Sequence, residues 1–146
     1  MYLDSCIVVK LLVAEPDSEF FIRSLEGKPL VTSELAQTEV FSALLARERA
    51  GKISITDRRR AWAEFEARIA AGEIRIETLN PTVQRKARHL LEHCHPKVPL
   101  RTLDAFHLAT AELCHDFPLV TTDGRLRDAA KLLGHAVFPG DSSAAT

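Results

Sequence analysis

Strands alternating with helices along the whole chain predict an α/β protein, with a parallel sheet covered by helices on both faces. Three observations carry that expectation. Five short apolar runs of strand length are separated by stretches with helical periodicity. Glycine stands where helices should stop, at Gly27, Gly51, Gly72 and Gly134. Ser, Thr, Asp or Pro stands where helices should start.

The elements follow in order. Met1 to Asp4 reads as a short buried strand, and Ser5 opens an apolar helix to about Val13. Glu15-Pro16-Asp17 is a break, with Asp17 as the cap of a second helix carrying Phe20, Phe21, Ile22 and Leu25. Pro29 to Thr32 is the second strand, and Ser33 should cap a long helix ending near Gly51. Thr56 should cap the next helix, from Asp57 to about Ala71. Glu73 to Leu79 alternates apolar and charged residues, the pattern of a third strand. Pro81 starts a helix to His93. After a Pro-containing loop over 95–101, Thr102 should cap an apolar helix to Cys114. Leu119-Val120 is the fourth strand, Gly124 to Leu133 a helix, and His135 to Phe138 the fifth strand. A single domain over 1–140 with a loose tail over 141–146 is expected.

Composition excludes several classes. At 146 residues, 46% hydrophobic and 27% charged, the chain can bury a full core. Its apolar runs are too short to span a bilayer, and no signal peptide is visible. Three unpaired cysteines (Cys6, Cys94 and Cys114) point to a reducing compartment, so a cytoplasmic location is expected. A net charge of −1 gives no overall pull on nucleic acid. Basic residues nevertheless cluster at Arg47, Arg49, Lys52 and Arg58 to Arg60, and again at Arg85, Lys86, Arg88, Lys97 and Arg101. Either cluster is a solvated helix face or a flank for a polyanion held by its phosphates.

Four acids stand out against that background. Asp4 and Asp123 follow the first and fourth strands, and ligands of open α/β sheets bind at the carboxyl ends of strands. Each could equally cap the helix that follows it. Asp104 sits in the first turn of its helix, where the macrodipole favours any anion. Glu39 is harder to explain as a structural acid. Its helical neighbours are Leu35, Ala36, Ser42, Ala43 and Ala46, without a Lys or Arg among them. A carboxylate on such a stripe should face something positive, because burying it unpaired is expensive. If the four gather, their repulsion demands a cation.

Tyr-Leu-Asp4-Ser, Ser33-Glu-Leu-Ala-Gln-Thr-Glu39-Val, Leu103-Asp104-Ala-Phe-His-Leu-Ala-Thr-Ala and Val120-Thr-Thr-Asp123-Gly-Arg-Leu together resemble the PIN domain. More narrowly they resemble the VapC-like toxins of bacterial toxin–antitoxin pairs. The resemblance implies a PIN-like three-layer α/β/α sandwich with a five-stranded parallel sheet. It implies that Asp4, Glu39, Asp104 and Asp123 are the catalytic and metal-binding acids. Ser5 and Thr121 match hydroxyl positions beside the first and last of them.

Oxygen-only ligands suit Mg²⁺, with Mn²⁺ as a substitute. The expected reaction is hydrolysis of RNA phosphodiester bonds, with Asp4 and Asp104 as principal ligands and Glu39 and Asp123 completing the cage. The resemblance further implies a cognate antitoxin, a homodimer and a larger toxin–antitoxin assembly. An antitoxin docking site near Val9, Leu12 and Phe41 is expected. Competing readings are a PIN nuclease that processes RNA without an antitoxin, and a non-catalytic metal- or partner-binding module. A zinc site from His89, His93, His95 and Cys94 lacks a second ligand group. A phosphatase of the haloacid-dehalogenase type needs a second acid where Cys6 stands. His107, three residues after Asp104, reads as a packing or hydrogen-bonding histidine rather than a general base.

Overall fold

A computed structural model describes residues 1–140, so the expected tail lies outside the described residues. In chain order the elements are β1 (Tyr2–Leu3), α1 (Ser5–Leu12), α2 (Ser18–Leu25), β2 (Leu30–Ser33), α3 (Leu35–Arg49) and α4 (Ile55–Ala70). They continue as β3 (Ile74–Glu77), α5 (Pro81–Cys94), α6 (Thr102–Cys114), β4 (Leu119–Val120), α7 (Gly124–Leu132) and β5 (Val137–Phe138). The five strands form one sheet in the order β3-β2-β1-β4-β5, and every pairing is parallel. The expected sandwich is therefore present.

Its two faces are set by the strand alternation. Tyr2, Val31 and Leu119 enter one core with Leu90 of α5, Leu108 of α6 and Leu126 of α7. Leu3, Leu30 and Val120 enter the other with Ile7 of α1, Phe21 of α2, Leu44 of α3 and Phe65 of α4. A one-residue slip in β1 would exchange Tyr2 and Leu3 between the two cores.

Strand order decides where a ligand can sit. From β1 the chain builds outward through β2 to β3, then returns to the opposite side of β1 for β4 and β5. The order reverses between β1 and β4, where the register pairs Leu3 with Val120. The carboxyl ends of these two strands open at that switch point, and the next residues are Asp4 and Thr121.

Three helix starts differ from expectation. Helix α4 begins at Ile55 because Ser54, not Thr56, caps it: Ser54 Oγ accepts from Asp57 N at 3.0 Å and Asp57 Oδ2 accepts from Ser54 N at 3.1 Å. Helix α6 takes Thr102 into its first turn and leaves Arg101 at the cap position. Ser33 ends β2, while its hydroxyl still accepts from Leu35 N at 3.2 Å.

The α1–α2 turn is tied down by charge. Lys10 donates to Glu15 at 2.9 Å and to Asp17 at 2.7 Å, and Arg47 of α3 also binds Glu15. Burial pushes the Glu15 carboxyl up, but its bonds to Arg47 and Lys10 outweigh this and hold it below the ordinary range. A depressed carboxyl stabilises the fold above its unfolded value, near 4.5, and that stabilisation is lost as pH falls through the folded value. Glu15→Gln should cost about 0.5–1 kcal/mol at pH 7, the worth of a partly solvated network. In urea unfolding the difference from wild type should vanish towards pH 3; a constant gap at both pH values would contradict the linkage.

Candidate active site

Asp4 holds the cap position of α1 but does not cap it; no backbone N–H of that helix bonds its side chain. Its carboxylate is instead gripped by side chains. Thr121 Oγ1 donates to Oδ2 at 2.6 Å, Cys6 Sγ approaches Oδ2 at 3.1 Å, and Ser5 Oγ reaches Oδ1 at 3.3 Å. Asp4 is only 7% exposed. The capping explanation for Asp4 thus fails.

Thr121 connects two of the acids. Its single proton goes to Asp4, so its oxygen is left to accept the Asp123 N–H at 3.0 Å. Asp123 does cap its helix, through Oδ1 and Leu126 N at 2.9 Å. Asp104 reaches back to Arg101 N at 3.4 Å with Oδ2. Glu39 on α3 meets His107 of α6, whose Nε2 lies 2.5 Å from Oε2. The same Nε2 is 3.9 Å from Asp4 Oδ1, so Glu39 and Asp4 share one imidazole edge.

Electrostatics tie the rest together. Burial pushes the Asp104 carboxyl up, and the nearby charges of Asp123 and Asp4 push it further. For His107, burial alone would depress the imidazole, but its bond to Glu39 and the charges of Asp4, Glu39 and Asp104 raise it overall. The four acids therefore act on one another or on a common neighbour. Each of Glu39, Asp104 and Asp123 spends one carboxylate oxygen on the protein in these bonds. Among the described residues, no three His, Cys, Asp or Glu side chains stand close enough to hold one ion as they are. The acids share a field without closing a coordination shell.

Ser5, Cys6, Val9, Leu35, Glu39 and Leu103 line a groove of about 620 Å³ leading from this cluster. Val9 is 2% exposed and packs in the core, and only its edge reaches this groove. Phe41 remains at the surface, edge-on to Trp62 at 4.9 Å and 6.0 Å beneath Arg58. The basic clusters divide. Arg47, Arg58 and Lys86 pair with Glu15, Glu48 and Glu112, whereas Arg49, Arg59, Arg88 and Arg101 are exposed. Cys94 is buried in the core while His89, His93 and His95 face solvent, so the four do not form one site.

Comparison with known proteins matches this geometry to a family. The PIN domain matches residues 1–132. Ribonuclease VapC46 of Mycobacterium tuberculosis is 40% identical over 143 residues, covering 94% of this chain and 95% of the relative. Ribonuclease VapC35 of the same organism is 28% identical over 150 residues, covering 97% and 98%. The chain belongs to the PIN-domain family, in its VapC-type branch. Among solved structures, M. tuberculosis VapC20, described as a sarcin–ricin-loop-cleaving toxin, superposes with a TM-score of 0.67 at 18% identity, covering 88% and 93% of the two chains. FitAcB of Neisseria gonorrhoeae gives 0.63 at 18% identity, covering 94% and 95%. These two likenesses concern the fold.

Repulsion inside the cluster has a measurable consequence. A carboxyl raised by burial and like charges destabilises the fold when ionised, and the penalty is relieved as pH falls through the raised value. Asn at this position keeps an amide oxygen that can accept the Arg101 N–H. In chelator-treated protein at pH 7, Asp104→Asn should therefore raise Tm by about 1–3 °C, the scale of a sub-kcal/mol gain in a chain of this size. A lowered Tm would contradict repulsion at Asp104.

Proposed function

We propose that this chain is the ribonuclease toxin of a toxin–antitoxin pair, hydrolysing RNA phosphodiester bonds with a divalent cation. One observation carries the reading: Asp4 is held by Thr121, Cys6 and Ser5 instead of capping its helix, in the shared field of Glu39, Asp104 and Asp123. A carboxylate so placed, with like charges around it, gains from a positive partner.

The donor set fits a hard cation, since all four acids offer oxygen. Asp4 and Asp104 would be its principal ligands, with Glu39 and Asp123 completing the set. Mg²⁺ is the cation proposed, with Mn²⁺ as a substitute. When bound, the cation supplies an activated, oriented water and neutralises charge on the phosphoryl oxygens. The protein's own contribution is to orient the carboxylates. Thr121 and Ser5 hold Asp4, the α7 backbone holds Asp123, and His107 holds Glu39. Exposed Arg101, whose charge pulls on Asp104, stands where a substrate phosphate can be received.

The cognate antitoxin is proposed to cover the acid-lined groove, with the toxin as a homodimer inside a larger assembly. Residues 1–140 act as one catalytic domain, working in the cytoplasm. Its free cysteines suit a reducing compartment, and none of its described helices is long and apolar enough to cross a membrane.

Purified protein should cleave RNA with Mg²⁺ or Mn²⁺ and lose the activity with chelator. Asp4→Asn, which keeps the side-chain shape, should reduce cleavage at least 100-fold while retaining wild-type circular dichroism. Mn²⁺ a hundredfold above its Kd should stabilise the wild type by about 2.7 kcal/mol. Cleavage at the wild-type rate by Asp4→Asn, or full activity in chelator, would sink the proposal.

A further inference from the structure

One group at the centre of this cluster has no part in the chemistry above beyond its bond to Glu39. His107 is 1% exposed, and both ring nitrogens are engaged. Nδ1 lies 2.8 Å from the Tyr2 hydroxyl, and Nε2 lies 2.5 Å from Glu39 Oε2. Tyr2 is completely buried and packs edge-on to the imidazole, with ring centroids 5.9 Å apart. The phenol stays neutral, because burial pushes its pKa far up.

The bonding has a direction. A neutral imidazole that accepts the phenol proton at Nδ1 carries its own proton on Nε2; a protonated imidazole carries one on both nitrogens. In either state Nε2–H donates to Glu39. The engaged ring and its burial leave neither nitrogen open to a substrate hydroxyl or water, so His107 is not placed as a general base.

We infer that His107, oriented by Tyr2, is a positioning residue for Glu39: it fixes the carboxylate through Oε2 and leaves Oε1 to the cation. The role answers a need in the sequence. Glu39 rides on a stripe of Leu35, Ala36, Ser42, Ala43 and Ala46, of which Ser42 alone carries a donor, and the hydrogen bond to its carboxylate comes from His107 instead. Without the imidazole, its two rotatable carbons would let it swing along the groove. Tyr2 belongs to β1 two residues before Asp4, and His107 to α6 three residues after Asp104. The strand that Asp4 follows and the helix that carries Asp104 thus also carry the support for the third acid.

This inference rests on the proposed cation site, and the test separates the two. Mn²⁺ binding by calorimetry and RNA cleavage (kcat and KM) are measured for wild type, Tyr2→Phe, His107→Gln and His107→Leu. Tyr2→Phe keeps the ring packing, and His107→Gln keeps a donor for Glu39. His107→Leu should weaken Mn²⁺ binding about 10- to 100-fold, the usual cost of losing the group behind a metal ligand. Tyr2→Phe should weaken it by about 3- to 10-fold, and His107→Gln should recover most of the affinity lost in His107→Leu. In cleavage, kcat should fall with KM little changed. Should His107→Leu fail to fold, Tyr2→Phe and His107→Gln carry the comparison. Wild-type Mn²⁺ affinity in Tyr2→Phe, or a folded His107→Gln that recovers none of the affinity lost on removing the imidazole, would overturn the positioning role alone. A wild-type protein that binds no Mn²⁺ would overturn the cation site and this role with it.

Discussion

Mutual repulsion among carboxylates at one end of a parallel sheet is the constraint that organises this molecule. Asp104 feels both Asp123 and Asp4, and His107 feels Asp4, Glu39 and Asp104. Separating these acids would relieve that repulsion, so the structure around them has to hold them in place. That hold begins with strand order. Because β4 lies beside β1 rather than beyond β3, the ends of two strands remote in sequence release Asp4 and Thr121 side by side. Parallel strands buried on both faces cannot easily shift, since Tyr2 and Leu3 anchor opposite cores.

Hydrogen bonds then do locally what topology does globally. The Thr121 hydroxyl has one proton, given to Asp4, and its oxygen accepts the N–H of Asp123. It therefore sets the spacing of two acids at once. His107 does the corresponding work between Asp4 and Glu39, from a ring that is itself buried. The carboxylates are left preorganised yet not collapsed into a closed shell. Such a site stores repulsion that the proposed divalent cation would relieve on binding.

Much of this was legible in the sequence. The alternation of apolar runs with helical patterns, and the glycine stops, read directly as five strands and seven helices in the described residues. The acids drew notice through position: after strands for Asp4 and Asp123, and on an unsuitable stripe for Glu39. Other features depended on long-range pairing that no local pattern encodes. Tyr2 and His107 are 105 residues apart, and His107 and Glu39 are 68 apart. His107 could be recognised as a hydrogen-bonding residue, but its partners follow only from the order of strands. Val9 shows an ambiguity of another kind, since an apolar residue on an amphipathic helix suits a docking face and a core equally well; here it packs in the core and still edges the groove. Thr56, directly before Asp57, offers a cap as plausible as Ser54, although Ser54-Ile-Thr-Asp57 has the capping-box spacing that the structure uses.

Crystals of the wild-type protein soaked in Mn²⁺ and measured at the manganese edge would test the central claim directly. The account predicts an anomalous peak at the carboxyl ends of β1 and β4, about 2.1–2.2 Å from oxygens of both Asp4 and Asp104, with Glu39 and Asp123 facing it. A peak bound elsewhere, or no peak among these acids at saturating Mn²⁺, would contradict it.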